Sequence, residues 1–410
     1  MKAPPLFLYR FFSLILCSLA GISQSAQGQQ FDCGSDGSYG PINVAANATT
    51  TLSVPADGIF HCTTVTVESG ATLKFTKNVA NTPVYLLTTG DVTISGTIDV
   101  SGSNGQTNGT PGRGGPGGWD GGHGFQMGAP SGGAGQGPGG GKTGRVQIKN
   151  FGSDNNNTVE VGHGVYAGGT PTRPNNGVPY GGHLLIPLVG GSGGGGTDSA
   201  TGFGGGGGGG AILVASNSKI SFQGGASLIT ARGGQGVAPF QSNYYSGFGS
   251  GGSIRLVAPT LEGSPVLYAS SDTGSGFGLV GRIRIDGIYR SAFMPASVTG
   301  SMSSGSNMMI FAPSAAKIEI IEAAGQTVAP NSGLPVTVLL GQSAPASQTV
   351  KVRVTNFNGT AQLRVVLTPD FGAPSSANLD ILNPGPGPAE GTANVTLAPN
   401  QLSRVDVWTR

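Results

Sequence analysis

The stretch GGGGGGGAILVASNSKISFQGGASLITARGGQG, residues 204–236, decides which fold the sequence predicts. After a run of glycines it contains three short apolar strands, AILVA, KISF and SLIT, separated by polar or glycine turns. The same order of three strands recurs at 83–100 and at 252–268, and each unit closes in a loop of Gly and Ser. Three strands in a repeat of about 20–28 residues are typical of a β-solenoid, in which stacked units pair their backbones and share one core.

Composition narrows the class of protein further. Glycine accounts for 76 of 410 residues, and only 10% of the residues are charged. A mainly helical chain is excluded, because each glycine inside a helix costs about 1 kcal/mol relative to alanine. Collagen is excluded because the glycines have no strict period of three. Lys and Arg number 21 against 19 Asp and Glu, so the chain lacks the basic excess that is typical of nucleic-acid-binding proteins.

The N-terminus predicts export. Phe11–Ile22 is an apolar run that is too short to span a bilayer and is typical of a signal-peptide core. Small residues at 26 and 28 predict a signal peptide over residues 1–28, with cleavage after Ser25 or Ala26 as alternatives. No later segment is apolar for long enough to form a membrane span. We therefore expect a secreted, extracellular or cell-surface protein with no transmembrane segment.

Two cysteines, Cys33 and Cys62, remain after removal of the signal peptide. An even pair in an oxidising compartment predicts a disulfide between them. Closing a loop of this length would contribute roughly 3–4 kcal/mol in the chain-entropy model. The alternative is two free buried thiols.

Residues 101–208 form a glycine-rich insertion within a predicted domain at 29–292. Two interpretations of the insertion are open: a flexible linker, which its glycine content favours, and ordered glycine loops packed on a β core. Anchors such as Trp119 and Phe203, which recur within the insertion, favour the second. For Gly204–Gly210 we predict an ordered segment, similar to polyproline II and hydrogen-bonded to other glycine stretches. Glycine would be required there because it allows positive φ and because a Cβ would hold neighbouring backbones apart.

Glycine becomes scarce after a predicted linker at 293–314. The remaining domain, 315–410, contains six segments that alternate in the manner of strands. The segments are 317–321, 336–340, 349–354, 361–367, 393–397 and 405–408. Their spacing predicts an antiparallel, immunoglobulin-like β-sandwich, whose ordinary role is that of a stalk or spacer.

The sequence resembles a group of glycine-rich exported bacterial proteins with pectate-lyase-like or adhesin-like β-helices. The strings that carry the resemblance are residues 31–44, 65–75, 204–236, 249–263 and 281–286, together with the tail from Lys317. The resemblance implies a parallel β-helix and no particular activity, because fold analogy does not carry function. The expected fold is thus all-β: a right-handed parallel β-helix (β-solenoid) with long glycine-rich loops, followed by the immunoglobulin-like β-sandwich.

A β-helix invites comparison with polysaccharide-cleaving enzymes, which need clustered carboxylates. Here the carboxylates are scattered singly. Gly122-His123-Gly124 and Gly162-His163-Gly164 match a GHG element of polygalacturonase-like glycosidases, but both lie in the insertion, so we interpret them as chance matches. Gly139–Thr143 lacks the strand and helix of a phosphate-binding loop, and the calcium-type match at 193–198 occurs only once. We predict no catalytic, cofactor-binding or metal-binding residues and no cofactor.

The sequence therefore predicts an exported, non-enzymatic cell-surface or extracellular protein of structural or adhesive function. Its expected partners are extracellular polysaccharides or other cell-surface components, and not nucleic acid. The alternative is a polysaccharide-active β-helix enzyme, a glycosidase or a lyase, with an unrecognised site. A purely structural matrix component is a third interpretation.

Overall fold

The computed structural model describes residues 31–125, 132–143, 176–197, 202–237, 246–271, 279–312, 316–329, 336–341, 343–370, 374–397 and 401–410. These residues form strands, turns and irregular segments but no helix, and nothing among them could cross a membrane as a long apolar helix. Phe31–Arg410 form one compact unit. The predicted signal peptide and the second GHG match lie outside the described residues.

The strands are numbered in chain order. Those of the first, parallel part are β1 (Gly40–Val44), β2 (Thr49–Ser53), β3 (Ile59–Val67), β4 (Thr72–Thr76), β5 (Val84–Thr88), β6 (Val92–Ile94), β7 (Thr97–Asp99), β8 (Ala211–Ser216), β9 (Lys219–Phe222), β10 (Leu228–Thr230), β11 (Ser253–Gly263), β12 (Val266–Tyr268), β13 (Arg282–Tyr289), β14 (Ser297–Thr299) and β15 (Ser301–Gly305). Those of the second part are β16 (Lys317–Ala323), β17 (Gln326–Thr327), β18 (Ser347–Thr355), β19 (Gly359–Pro369), β20 (Ser375–Asn383), β21 (Pro388–Thr396) and β22 (Ser403–Thr409).

Strands β1–β15 pair in parallel and form two sheets. The nine-stranded sheet has the order β15-β13-β11-β8-β5-β3-β6-β9, with β1 paired to β3. The six-stranded sheet has the order β14-β12-β10-β7-β4-β2. Within both sheets the pairings join corresponding strands of the repeated units that the sequence shows.

The predicted right-handed β-helix is wrong. Six strands of the nine-stranded sheet, in the order β11-β8-β5-β3-β6-β9, form a closed parallel barrel, because β11 pairs with both β8 and β9. A β-solenoid with three separate faces would require each strand to end at a corner. Instead β3 and β11 are 9 and 11 residues long and continue past the expected turns, so each pairs with two partners in succession.

The main core lies inside the parallel sheets. Val84, Ile212, Ile254 and Ile283 occupy one register position on four neighbouring strands and are all buried. Because successive side chains of a strand point to opposite faces, the alternate residues of β5, β8 and β11 face outward. These outward residues form a second buried cluster with Leu185, a cluster that also includes Ile310.

Gly204–Gly210 lies at the centre of a bundle of glycine-rich segments. Three neighbouring segments accept hydrogen bonds from the amides of the run. Gly205 and Gly208 donate to the carbonyls of Gly122 and Trp119, and Gly206 and Gly209 donate to those of Gly247 and Ser250. Gly207 and Gly210 donate to the carbonyls of Ser103 and Val100. Three further segments donate hydrogen bonds to the carbonyls of the run. The Gly205 and Gly208 carbonyls accept from the amides of Gly112 and Gly115, and the Gly206 and Gly209 carbonyls accept from those of Gly194 and Gly191. The Gly207 carbonyl accepts from the Gly234 amide. The direction of bonding repeats every three residues, which is the period of the polyproline II helix.

The prediction that Gly204–Gly210 is ordered and packed is confirmed. Every glycine of the run is buried. A Cβ on any of them would lie less than 3.0 Å from the backbone of a neighbouring segment. None of the seven has positive φ, so close approach of backbones, and not left-handed conformation, requires glycine here. The described parts of the insertion are therefore a packed body, not a linker.

The second part of the chain consists of two antiparallel sheets, β17-β16-β18-β21 and β20-β19-β22. Val352 of β18, Leu363 of β19 and Ile381 of β20 belong to one shared core. The predicted immunoglobulin-like arrangement is wrong in its strand order. Counted along this part, the sheets have the orders 2-1-3-6 and 5-4-7, whereas an immunoglobulin constant domain has 1-2-5-4 and 3-6-7.

Two segments differ from their predicted structure. Residues 297–305, predicted as linker, form β14 and β15 and extend the parallel sheets. The segment 336–340, predicted as a strand, is irregular, and its Leu339 is exposed. Strand β20 has no counterpart among the predicted segments, although Ala377, Leu379 and Ile381 alternate along it.

Candidate binding surface

The outer face of the six-stranded sheet presents two straight rows of side chains. The first row contains Thr49, Thr72, Thr97, Leu228, Val266 and Ser297, and the second contains Thr51, Lys74, Asp99, Thr230, Tyr268 and Thr299. Eight of these twelve positions carry a hydroxyl group, and Thr230 alone among the eight is buried. Neighbouring strands lie about 4.8 Å apart, so the rows repeat at that spacing. We call these two rows the polar face.

The local sequence explains why this face is polar. Strands β4 and β7 alternate between polar and apolar residues, as in TLKFT and TID. Their apolar residues, such as Leu73 and Ile98, fill the core, so the threonines must point outward. β-Branched threonine also suits an extended, half-buried backbone.

Electrostatic contacts hold the second row. Lys74 Nζ lies 3.5 Å from Asp99 Oδ2 on the next strand. The Arg232 guanidinium lies 4.0 Å from the centre of the Tyr268 ring, at a distance typical of a cation–π contact. The Tyr268 hydroxyl donates to the carbonyl of Ser271 at 3.4 Å. Tyr268 is therefore fixed in orientation, with its ring half-buried in the face.

A third row of polar residues lies on the barrel. Asn43, Thr66, Thr93, Ser221 and Glu262 stand in register on β1, β3, β6, β9 and β11. Glu262 pairs with Lys219 at 3.2 Å, and hydrogen bonds from Ser221 and Lys219 lower the pKa of the Glu262 carboxyl. The parallel part thus presents polar rows on both of its sheets.

The sequence matches to catalytic motifs are parts of the glycine bundle. The Gly122 amide donates to Gly194 O and the carbonyl of His123 accepts from the Gly133 amide, so the GHG element at 122–124 is structural. In the P-loop-like stretch 139–143, the amides of Gly139 and Gly141 donate to Ser192 Oγ and Gly193 O. These amides are therefore not available to a phosphate. Asp198 of the calcium-type match lies outside the described residues.

A buried charged cluster joins β11, β13 and the segment after β15. Asp286 is fully buried and accepts hydrogen bonds from the guanidinium groups of Arg284 and Arg255, the latter at 3.3 Å. Its carboxylate also accepts a hydrogen bond from the backbone amide of Asn307 at 2.9 Å, and Arg255 donates to the backbone carbonyl of Asn307. The Asp286 carboxylate is thus engaged in structural hydrogen bonds. The cluster was not predicted from the sequence, although Arg282-Ile283-Arg284-Ile285-Asp286 alternates charged and apolar residues in a chain with few charges.

A second charged cluster lies where the antiparallel part meets the glycine bundle. Asp120 accepts from Lys77 at 3.3 Å and from Arg404 at 3.0 Å. Burial by itself raises the pKa of the Asp120 carboxyl, but Lys77 and Arg404 outweigh it and lower that pKa to about 2. Arg404 also reaches Asp406 and Gln136, and Gln136 donates to Thr368. The cluster is a docking contact between two parts of one unit.

Cys33 and Cys62 are both free, buried thiols in the structure. Cys62 belongs to the main core, whereas Cys33 packs in the cluster on the opposite face of β5 and β8. Cys33 Sγ donates to the carbonyl of Thr88 at 3.3 Å. Burial raises the pKa of the Cys62 thiol to about 12, with a further contribution from Cys33. The disulfide between them stays a prediction of the sequence.

No group of three or more His, Cys, Asp or Glu side chains that could hold a metal ion occurs in the described ranges. No family model, curated protein or solved structure matches the chain.

Proposed function

We propose that this chain is an exported, non-enzymatic cell-surface or extracellular protein that binds polysaccharide through the polar face. The observation that carries the proposal is the pair of hydroxyl-rich rows on the six-stranded sheet. Hydroxyl groups donate and accept hydrogen bonds, which suits a neutral polymer that itself bears many hydroxyls. The repeat of the rows at strand spacing favours an extended, periodic ligand over a compact one.

The middle of the polar face adds apolar contact to hydrogen bonding. Leu228 and Val266 are half-buried beside Tyr268, with hydroxyl groups on both sides along the rows. An aromatic ring that is fixed in place loses little side-chain entropy on binding. Sugar rings offer apolar faces as well as hydroxyl edges, so this mixture fits a polysaccharide.

The packing of the insertion supports a rigid presentation of this face. The central glycine run continues directly into β8, and its last amide bonds to Val100, next to β7 of the polar face. The face is thus backed by both the main core and the glycine bundle. A preformed surface does not have to be ordered when a ligand binds.

The test is co-sedimentation of the mature chain with insoluble polysaccharides such as cellulose, chitin and peptidoglycan. We expect binding to at least one of them, and a several-fold loss of bound protein for the double variant Thr72→Ala, Thr97→Ala. The matched control is Thr360→Ala, Thr392→Ala, which removes two exposed threonines from the antiparallel sheets. Absence of binding to all polymers, or equal losses in both double variants, would overturn the proposal.

A further inference from the structure

The core of the parallel sheets is open at its C-terminal end. Met302 on β15 occupies the same register position as Ile283, Ile254 and Ile212 on the preceding strands. The side chains of those three isoleucines are at most 1% exposed, whereas Met302 is 49% exposed. An inward-facing position of the terminal strand is therefore left uncovered by the rest of the described chain.

Further exposed apolar residues and unpaired strand edges occur in this last part of the parallel sheets. Ile288 and Tyr289 at the end of β13 and Met294 in the segment that follows are exposed large hydrophobic residues. In the described residues β15 pairs only with β13, and β14 pairs only with β12. Each of these strands thus offers one free edge of backbone amides and carbonyls, which is a template for pairing with another chain. We call this surface the open end.

The opposite end of the parallel sheets is closed but also has free strand edges. Ile42 and Val44 of β1 are buried, so the core does not open there. Among the described strands β1 pairs only with β3, and β2 only with β4. We call this surface, residues 31–58 with Glu68, the closed end.

The two ends carry opposite charge. Residues 31–73 contain Asp32, Asp36, Asp57 and Glu68 but no Lys or Arg. Residues 287–312, which include β14 and β15, contain Arg290 as their one charged residue. In a chain with only 10% charged residues this separation is a clear asymmetry, and complementary potentials steer the association of two surfaces.

We propose that the open end of one copy docks on the closed end of a second copy, so that the molecules associate head to tail. All strands of the parallel part run in the same direction, and β2 and β14 are the two end strands of the six-stranded sheet, so β2 of the next copy continues the parallel pairing after β14. This arrangement covers Met302, pairs the free edge of β14 with that of β2, and brings the acidic end against the end that carries Arg290. The contact is heterologous, because it joins different surfaces, and it can therefore repeat into a chain of copies.

The first experiment measures the mass of the mature chain by sedimentation over a range of concentrations at low salt. We expect a weight-average mass that rises beyond two chains, and weaker association at high salt, because salt screens surface charges. Met302→Glu should raise the concentration needed for half-association by at least about tenfold, as expected for loss of a central apolar contact. Leu382→Glu is the control, since Leu382 is an exposed apolar residue of the antiparallel part, 68% exposed.

A mixing experiment identifies which surfaces meet. Glu68→Lys changes only the closed end, and Met302→Glu only the open end. Each variant alone should remain largely monomeric, whereas their equimolar mixture should form dimers and nothing larger. Circular dichroism and the melting temperature establish that both variants fold. A wild-type chain that stays monomeric at every concentration overturns the proposal, as does a Glu68→Lys variant that forms the wild-type assemblies.

Discussion

At the residue scale, the seven central glycines show how a backbone can act as a packing surface. Helices and sheets pack against their neighbours through side chains. Gly204–Gly210 instead contacts six neighbouring segments through hydrogen bonds to its own backbone amides and carbonyls. The sequence predicted this packing, because an uninterrupted glycine run enters an apolar strand. It could not predict which conformation required glycine, since both positive φ and close approach favour the same residue.

We expect Gly208→Ala to lower the free energy of unfolding by at least about 2 kcal/mol, because overpacking a tightly packed site forces the backbone to shift. The added Cβ would meet the carbonyl of Gly191. Gly359→Ala is the control, since nothing lies within 4 Å of a Cβ at that position. Chemical denaturation of both variants measures the difference. Equal stability of the two would show that the glycine bundle does not contribute to the folded state.

Asp120 predicts a defined dependence of stability on pH. Its folded pKa of about 2 lies below the ordinary value of 3.8, so its contribution is complete above pH 4 and is lost as the pH falls toward 2. Asp120→Asn should therefore destabilise the protein by about 1–3 kcal/mol at neutral pH, as expected when buried partners lose a charged acceptor. The difference from wild type should shrink in acid. Asp380→Asn, in an exposed pair with Arg410, should show a smaller effect at every pH.

The two cysteines show what residue counting misses. Their even number predicted a disulfide, but only the structure reveals that Cys62 belongs to the main core and Cys33 to the second buried cluster. From the structure we expect two thiols that resist a thiol reagent in the folded protein and react after unfolding. A chain with no reactive thiol after unfolding without reductant would instead contain the predicted bridge.

At the element scale, strand positions were predictable and strand lengths were not. The predicted strands AILVA, KISF and SLIT, at 211–215, 219–222 and 227–230, agree with β8, β9 and β10 to within one residue at each end. β11 runs from Ser253 to Gly263 without a break, although the repeat predicts one strand at 252–258 and a second at 259–261, and this continuation closes the barrel. The position of a corner depends on which neighbouring strands are in register, and that information is not local to the sequence.

The prediction at the scale of elements concerns the charged cluster on β11 and β13. Asp286→Asn leaves two buried guanidinium groups without their carboxylate, and removal of one partner of a buried pair costs about 3–5 kcal/mol. We expect a large fall in the midpoint of thermal unfolding. Glu390→Gln, which removes a surface carboxylate shared by Lys351 and Arg353, should change it little, because surface ion pairs contribute little. A similar midpoint for both variants would contradict the assigned role of the cluster.

At the scale of the whole molecule, composition predicted an all-β chain but not its closed barrel. The candidate binding surface was likewise predictable only in part. The alternation of Thr72 and Lys74 with Leu73 and Phe75 was visible in the sequence, but the rows exist only once parallel pairing places successive units side by side. Periodicity along one strand is a local property, whereas the straightness of a row depends on the register of six strands.

The last prediction separates the proposed binding protein from a polysaccharide-active enzyme. Glycoside hydrolysis needs two carboxyl groups about 5–10 Å apart, one to donate a proton and one to act as nucleophile or base. Of the described carboxylates, Asp120 and Asp286 are the ones drawn into buried clusters, and each is held by two basic side chains in structural contacts. We therefore expect the purified mature chain to release neither reducing ends nor unsaturated products from pectin, alginate or whichever polymer it binds. Turnover that a single Asp or Glu substitution abolishes, while binding persists, would establish an enzyme and place its carboxylates on the polar rows or outside the described residues.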